Sequence, residues 1–533
     1  MGEPADVLVV GAGASGSVVT KRLAEAGVDV TCLEQGDWVS ADEYPGENRA
    51  WDVLHQSAWA LNPNTRRRPA DYPIETSEAE IWPLMFNGVG GGTVHYSALW
   101  PRLLPSDFRV RTVDGVADDW PISYEELAPF YDRIQVDWAV SGLAGDPATP
   151  PTPAYPLPPL PIGLIGQRAA AGMNELGWHW WPHPNAIASR PHGRLAPCER
   201  RGVCMTGCIA GAKASTDITH WPDALRAGAR LVTGARVREI TVGPDGRATG
   251  ATYIDREGRE HHEAARNVVL ACNGIGTARL LLLSRSRAHP DGLANSSGLV
   301  GRRLMMHPTV AVAGVYEDDL ESWRGPAGSP IISLEFYETD RDRNFPRGAK
   351  WDVYPIAGAL PYFQLLHGSP LADRFGPAVH DTMARMFGRT FIWEAQTDDL
   401  PTPHNRVELD PNLTDGDGIP APKILYRVSE DSERNMAFQL ARMREAHAAA
   451  GAVETHEWHW MPNVGWHTLG TARCGDDPAT SVVDRWGRAH DVGNLFVVDG
   501  SVFVTGSAMN PTATIAAFAL RTAEHILATR RDG

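Results

Sequence analysis

Residues 6–36, DVLVVGAGASGSVVTKRLAEAGVDVTCLEQG, decide the fold. The apolar run Val7 to Val10 reads as a buried parallel strand and leads into Gly11-x-Gly13-x-x-Gly16. An amphipathic helical pattern follows from Ser17 to Ala26, and a second apolar strand, Val28 to Leu33, stops at Glu34. Each glycine has a mechanical reason. Gly11 permits the tight turn, Gly13 lets the backbone approach a pyrophosphate, and Gly16 lets the helix pack close on the strand. The helix N-terminus offers free N–H groups and the positive end of its dipole to phosphate. Glu34 follows the glycines at the distance where an acid takes ribose hydroxyls. Glycine turns alone are common. Strand, glycines, helix, strand and acid within one βαβ frame predict a dinucleotide site.

The rest of the chain must supply more than this unit. Its 533 residues exceed one domain of ~100–200, so two or more domains are expected. With 43% hydrophobic and 21% charged residues the composition is that of a soluble globular protein. A net charge of −16 argues against nucleic acid or an anionic membrane as main partner. No apolar run is long enough for a membrane span. The first strand starts by Asp6 with no basic or cleavable apolar segment before it, so a cytoplasmic protein, or a mature form without its leader, is expected. Six cysteines do not make a disulfide scaffold, and Cys32 and Cys272 sit in apolar runs as small core residues.

Asp37 to Ile81 lacks clean periodicity and reads as extended loops and short helices, with Arg66-Arg67-Arg68 as a solvated face. Next comes Asn87-Gly88-Val89-Gly90-Gly91-Gly92-Thr93-Val94-His95-Tyr96. Glycines at that density contribute no side-chain packing; they let main chain lie against something flat or charged, here a pyrophosphate or a flavin ring. Ser123 followed by Glu126 marks a capping-box start to a helix running to Val136. Residues 146–163 are proline-dense and read as an extended surface loop, with 151–194 taken as a proline-rich loop or lid. Strand patterns at 225–242, 249–255 and 267–271 return to the nucleotide domain, with Val237 placed to meet an adenine, and a helix follows at 275–284. From about Ser296 the character changes. Short apolar alternations at 309–316, 329–336, 391–394 and 406–410, then a helix over 430–450, predict an inserted α+β domain on an antiparallel sheet. A last strand, Leu495 to Asp499, and a helix opened by Asn510-Pro511-Thr512 close the nucleotide domain. The expected fold class is thus α/β: a Rossmann-like domain over 1–150, 195–300 and 465–533, and a substrate domain over 301–464.

These residues resemble the glucose–methanol–choline (GMC) family of flavin oxidoreductases over essentially the whole chain. The resemblance rests on Gly11, Gly13, Gly16 and Glu34, on Asn87 to Thr93, on GLVGRRLMMHP (298–308), and on HTLGTAR (467–473) with Asp499-Gly500 and Asn510-Pro511-Thr512. It implies FAD as the dinucleotide and oxidation of an alcohol to a carbonyl. Gly91 to Tyr96 followed by Pro101-Arg102 is similar to pyranose oxidases and bacterial C-glycoside 3-oxidases. It also resembles the flavin subunits of gluconate- and fructose-type dehydrogenases. In pyranose oxidases the matching histidine can carry the flavin covalently; here His95 has Val94 and Tyr96 where Thr and Trp are usual, so a covalent link and a packed histidine both stand. Some cytochrome-coupled members hold an iron–sulfur cluster with cysteines spaced like Cys198, Cys204 and Cys208; free thiols are the alternative, and no metal site is expected.

Oxidising C–OH to C=O removes a hydroxyl proton while hydride leaves carbon for flavin N5. A histidine suits the proton and a carboxamide suits the oxygen, which with the family motif makes His467 the base and Asn510 its partner. The N-terminus of the helix opened by Asn510 would face the flavin pyrimidine, where negative charge develops on reduction, so Met509 to Thr512 should touch the ring. His307 reads as structural. The expected cofactor contacts are Gly11, Gly13, Gly16, Glu34, Asn87, Gly90, Gly91, Gly92, Thr93, His95, Val237, Asp499, Gly500, Pro511 and Thr512. The expected substrate is a sugar or glycoside oxidised at a secondary ring hydroxyl, with oxygen as a possible acceptor. The alternatives are a dehydrogenase subunit passing electrons to a cytochrome, quinone or other acceptor, and a flavin-binding protein without turnover.

Overall fold

The computed structural model describes residues 3–360 and 378–530. Its first sheet is built on the opening unit. Strands Arg230–Thr233, Val30–Glu34, Ala5–Val10 and Glu260–Leu270 lie side by side in parallel. Leu495–Val497 joins Glu260–Leu270 in parallel, so the two ends of the chain meet in one sheet. The other half of Glu260–Leu270 pairs antiparallel with Ala248–Ile254, and that strand with Arg236–Val242. Both faces are covered, which is why these strands read as continuous apolar runs. Helices Ala14–Glu25, Tyr124–Asp137 and Thr512–Arg530 pack together on this sheet. The helix Tyr124–Asp137 starts with the Ser123/Glu126 box expected of it.

The second sheet has six strands in the order Glu454–Trp458, Thr309–Val315, Thr390–Thr397, Ala349–Tyr354, Ile331–Ser333, Trp181–Pro182, all antiparallel. The helices Gly163–Leu176 and Glu430–Ala449 bury their apolar stripes against it. A smaller sheet joins Arg406–Thr414, Pro420–Tyr426 and Glu75–Ala79.

Two expectations need correcting. The 151–194 segment is not a loop or lid throughout. After the prolines, Gly163–Leu176 is a helix whose Ile165, Ala169 and Met173 pack on Met436, Leu440 and Met443, and Trp181–Pro182 forms a sheet edge. The prolines masked a run of good helix formers that begins as they end. The arginine run is a solvated face only at Arg67. Arg66 is buried, pairs with Asp71 at 2.5 Å and donates to the carbonyls of Ala60 and Met85 at 2.7 and 2.9 Å. Arg68 lies over the Trp59 ring at 4.3 Å.

Candidate active site

The two glycine segments form one structure. Gly91 and Gly13 lie backbone against backbone: a Cβ on Gly91 would stand 2.7 Å from Gly13 Cα, and Gly91 has φ +51°. Gly90 N–H donates to Ala12 O at 3.0 Å. A Cβ on Gly16 would meet Gly11 O at 1.9 Å, which is the close helix–strand approach its spacing implied. The Glu34 carboxylate accepts from Ala12 N–H at 2.8 Å and Gly36 N–H at 2.9 Å, so it also braces the glycine turn. Each carboxylate oxygen keeps acceptor capacity beyond those bonds.

A cavity of about 870 Å³ runs against these backbones. Of the expected cofactor residues, Gly11, Gly13, Glu34, Asn87, Gly91, Gly92, Thr93, His95, Val237, Asp499, Gly500, Pro511 and Thr512 line it. Gly16 and Gly90 do not; they shape the turns behind it. His467 and Asn510 line the same cavity. The start of the helix Thr512–Arg530 is therefore part of the wall, with Pro511 O accepting the Ile515 N–H at 2.8 Å. Asn510 is not the cap of that helix. Its Nδ2 donates to Gln396 Oε1 at 3.4 Å, and its Oδ1 is buried without a partner.

His467 is brought in by an antiparallel bridge. Met305 and Leu469 exchange both backbone hydrogen bonds at 3.1 Å. Two residues away on each side, His307 and His467 face one another with Nδ1 atoms 3.0 Å apart. The His307 Nε2 lies 3.1 Å from Gly506 O. Burial pushes His307 down to about 4, so it is neutral and Nε2 carries its one proton for that carbonyl. Its Nδ1 then offers one lone pair, shared between Gln396 Nε2 at 2.7 Å and His467 Nδ1 at 3.0 Å. The tautomer of His467 that this arrangement favours has its proton on Nδ1 and Nε2 as the basic nitrogen. Burial first, then His307 and Lys350, hold His467 well below the ordinary histidine value. Gln396 also donates to Ala508 O at 3.0 Å and so ties both candidate catalytic residues to one side chain. Sequence reasoning missed Gln396 and read His307 as structural only.

His95 is buried against Phe86 and Trp59. Its Nδ1 lies 2.7 Å from Met205 O, and Nε2 has no partner. Behind it, buried Lys213 donates to the carbonyls of Val94, Tyr96 and Cys204. Cys198, Cys204 and Cys208 are free thiols. Cys198 and Cys208 accept from the backbone N–H groups of Arg200 and Ala212, and among the described residues no cluster of His, Cys, Asp or Glu is arranged to hold a metal. No described helix is long and apolar enough to cross a membrane.

A cavity of that volume against two glycine backbones, with unpartnered His95 Nε2 and Asn510 Oδ1 in its walls, fits a flavin dinucleotide. The chain belongs to the GMC oxidoreductase family, whose sequence profiles match residues 5–309 and 401–519. It is an oxidoreductase acting on CH–OH groups, and family membership implies FAD. It is 42% identical to the 2-methyl-1,2-propanediol dehydrogenase of Mycolicibacterium austroafricanum over 98% of this chain and 95% of that one. It is 34% identical to the paromamine 6'-oxidase of Streptomyces fradiae over 98% and 91%. The fold is that of the formate oxidase of Aspergillus oryzae, with TM-score 0.63 at 14% identity, covering 100% of this chain and 99% of that one.

A substitution tests the glycine contact. Gly91→Ala puts a Cβ against Gly13 and strains a positive φ, at roughly 1–2 kcal/mol for the φ alone. The flavin-to-protein ratio after gel filtration is expected to fall. An unchanged ratio contradicts the packing.

Proposed function

We propose that this protein oxidises a hydroxyl of a polyhydroxylated substrate, a sugar, glycoside or diol, to the carbonyl. The observation that carries this reading is the chain Gly506 O–His307–His467, which leaves His467 Nε2 as an acceptor in the wall of the cavity that Asn510 shares. FAD, when bound, supplies the hydride acceptor. His467 Nε2 takes the hydroxyl proton, and its Nδ1–H stays bonded to His307. Asn510, anchored by Gln396 through Nδ2, offers its amide to the substrate oxygen and fixes which C–H faces inward. The first turn of the helix, from Thr512 on, supplies free N–H groups and the positive dipole end where negative charge accumulates.

The initial expectation was a secondary ring hydroxyl. The named relatives widen the test, since one is a dehydrogenase of a small diol and another an oxidase of an amino sugar at its 6' position. Anaerobic mixing of the flavin-loaded protein with free sugars, glycosides, diols and simple alcohols is expected to bleach the visible flavin band with members of the first three groups. Bleaching by none of them overturns the reading. With the reducing substrate in hand, oxygen uptake identifies an oxidase. Dye reduction without oxygen uptake identifies a dehydrogenase that passes electrons to a cytochrome or quinone.

A covalent flavin link through His95 belongs to the same proposal. What supports it is that Met205 O holds the proton of His95 on Nδ1 and leaves the Nε2 lone pair free to bond the flavin. Acid precipitation is expected to leave flavin absorbance in the protein pellet, and His95→Ala is expected to move it to the supernatant. Flavin released from the unaltered protein overturns the link.

A further inference from the structure

Two residues before Gln396 on the strand Thr390–Thr397, and on the same face of it, Glu394 lines the cavity. The sheet register fixes its neighbours. Asp352 stands opposite Glu394 on one side and Ala311 on the other, with Trp458 beyond Ala311. Glu394, Ala311 and Trp458 all line the cavity. Neighbouring strands lie about 4.8 Å apart, so Glu394 and Trp458, two strands apart, bound a slot roughly 10 Å across. On the strand between them stands Ala311, whose side chain is a single methyl group. That width suits one small hydroxylated ring or chain.

The charges nearby are already matched. Lys350 is paired with Asp352, whose other oxygen lies 3.2 Å from His183 Nε2. The backbone of Glu394 is held in the sheet on both sides, but its carboxyl makes no hydrogen bond or ion pair with a described residue. Burial first, then the Asp352 carboxylate, push it up to about 8 against the opposing pull of Lys350. At neutral pH it is therefore chiefly an uncharged acid that presents an O–H donor and a C=O acceptor together. A hydroxyl group can meet both. An apolar tail would meet neither.

We propose that Glu394, with Ala311 and Trp458, forms a subsite for a second hydroxyl of the substrate, on the carbon next to the one oxidised. The site then selects vicinal diols and polyhydroxylated rings over lone alcohols. Alternate residues along a strand are about 6.8 Å apart, so Glu394 and the Gln396–Asn510 pair bracket two oxygens of one substrate. Trp458 covers the carbon face beside them. The proposal rests on the reading that this cavity oxidises alcohols.

The test compares cyclohexanol with cis-cyclohexane-1,2-diol in anaerobic flavin reduction by the flavin-loaded protein. The unaltered protein is expected to favour the diol by about tenfold or more, the scale of one hydrogen bond to a buried polar group. Glu394→Leu is expected to bring the ratio close to one, chiefly by slowing the diol. Glu394→Gln keeps a donor and an acceptor and is expected to keep most of the preference. Ala311→Leu, which fills the slot but leaves the carboxyl in place, is expected to slow the cyclic diol far more than propane-1,2-diol. The inference is overturned if the unaltered protein does not discriminate, if Glu394→Leu keeps the full ratio, or if 2-aminocyclohexanol outruns the diol. Failure of every alcohol to bleach the unaltered protein is a different result. It removes the functional reading first, and this inference with it.

Discussion

Replacing His467 by alanine is expected to slow anaerobic flavin reduction by about 10²–10⁴-fold, the range for loss of a positioned general base. Flavin content is expected to change little, because His467 is not part of the packed glycine turns at Gly11 to Gly16 and Gly90 to Gly91 that are proposed to hold the dinucleotide. The pH profile gives a second readout. Burial, with His307 and Lys350, lowers the folded His467 below 6.5, so the base stays neutral into mildly acid solution. The acid limb of the reduction rate is expected below 6.5, with activity lost as pH falls through it. His307→Ala separates positioning from catalysis. It removes the acceptor that holds His467 in its Nδ1–H form, so kcat is expected to fall with KM little changed. A His467→Ala protein that reduces its flavin at the original rate overturns the assignment of the base.

What the sequence made legible was whatever chain-local physics enforces. Gly11, Gly13 and Gly16 between a strand and a helix demand a tight turn and close backbone approach, and the structure puts them there. The Ser123/Glu126 box and the apolar strand Leu495–Val497 were readable for the same reason. The motif pair His467 and Asn510 came from resemblance, and both line the cavity. Gln396 carried no local signal. It is one polar position in FIWEAQT, and its importance comes from meeting His307, from another strand's entry, and Asn510, from the far end of the chain. The strand's alternation was the available clue: Phe391, Trp393 and Ala395 are buried on one face, while Ile392, Glu394 and Gln396 line the cavity from the other. Helix Gly163–Leu176 was lost behind its prolines, and buried Arg66 behind its charge.

Arg347→Met is expected to cost about 3–5 kcal/mol of stability, the range for breaking a buried ionic cluster by removing one partner. Arg347 is 1% exposed and sits at the centre of four carboxylates. Its Nε lies 3.0 Å from Asp398, its Nη1 3.2 Å from Asp114 and 3.3 Å from Glu338, and its Nη2 pairs with Asp107. Asp107 and Asp114 belong to the part of the chain that follows the glycine-rich stretch; Glu338, Arg347 and Asp398 belong to the second sheet and its loops. The cluster also braces the candidate active site. Asp398 closes the segment just after Gln396, and the next residue, Asp399, accepts from Met306 N–H at 2.7 Å, beside His307. Asp107 O accepts from Thr505 at 3.1 Å, in the loop that leads to Asn510. Methionine fills much of the same space, so the loss is electrostatic. Burial pushes Asp107 up to about 7 even with Arg347 in place, and without the guanidinium its charged form is less favourable still. The folded state then holds protons that the unfolded chain has released above ~4, so stability falls as pH rises through this window and beyond. The difference in Tm between Arg347→Met and the unaltered protein is expected to be larger at pH 8 than at pH 5. Arg347→Lys is expected to recover little, since one ammonium cannot reach four carboxylates that a planar fork can. A difference in Tm that is absent, or equal at the two pH values, would show that the carboxylates are stabilised by other groups.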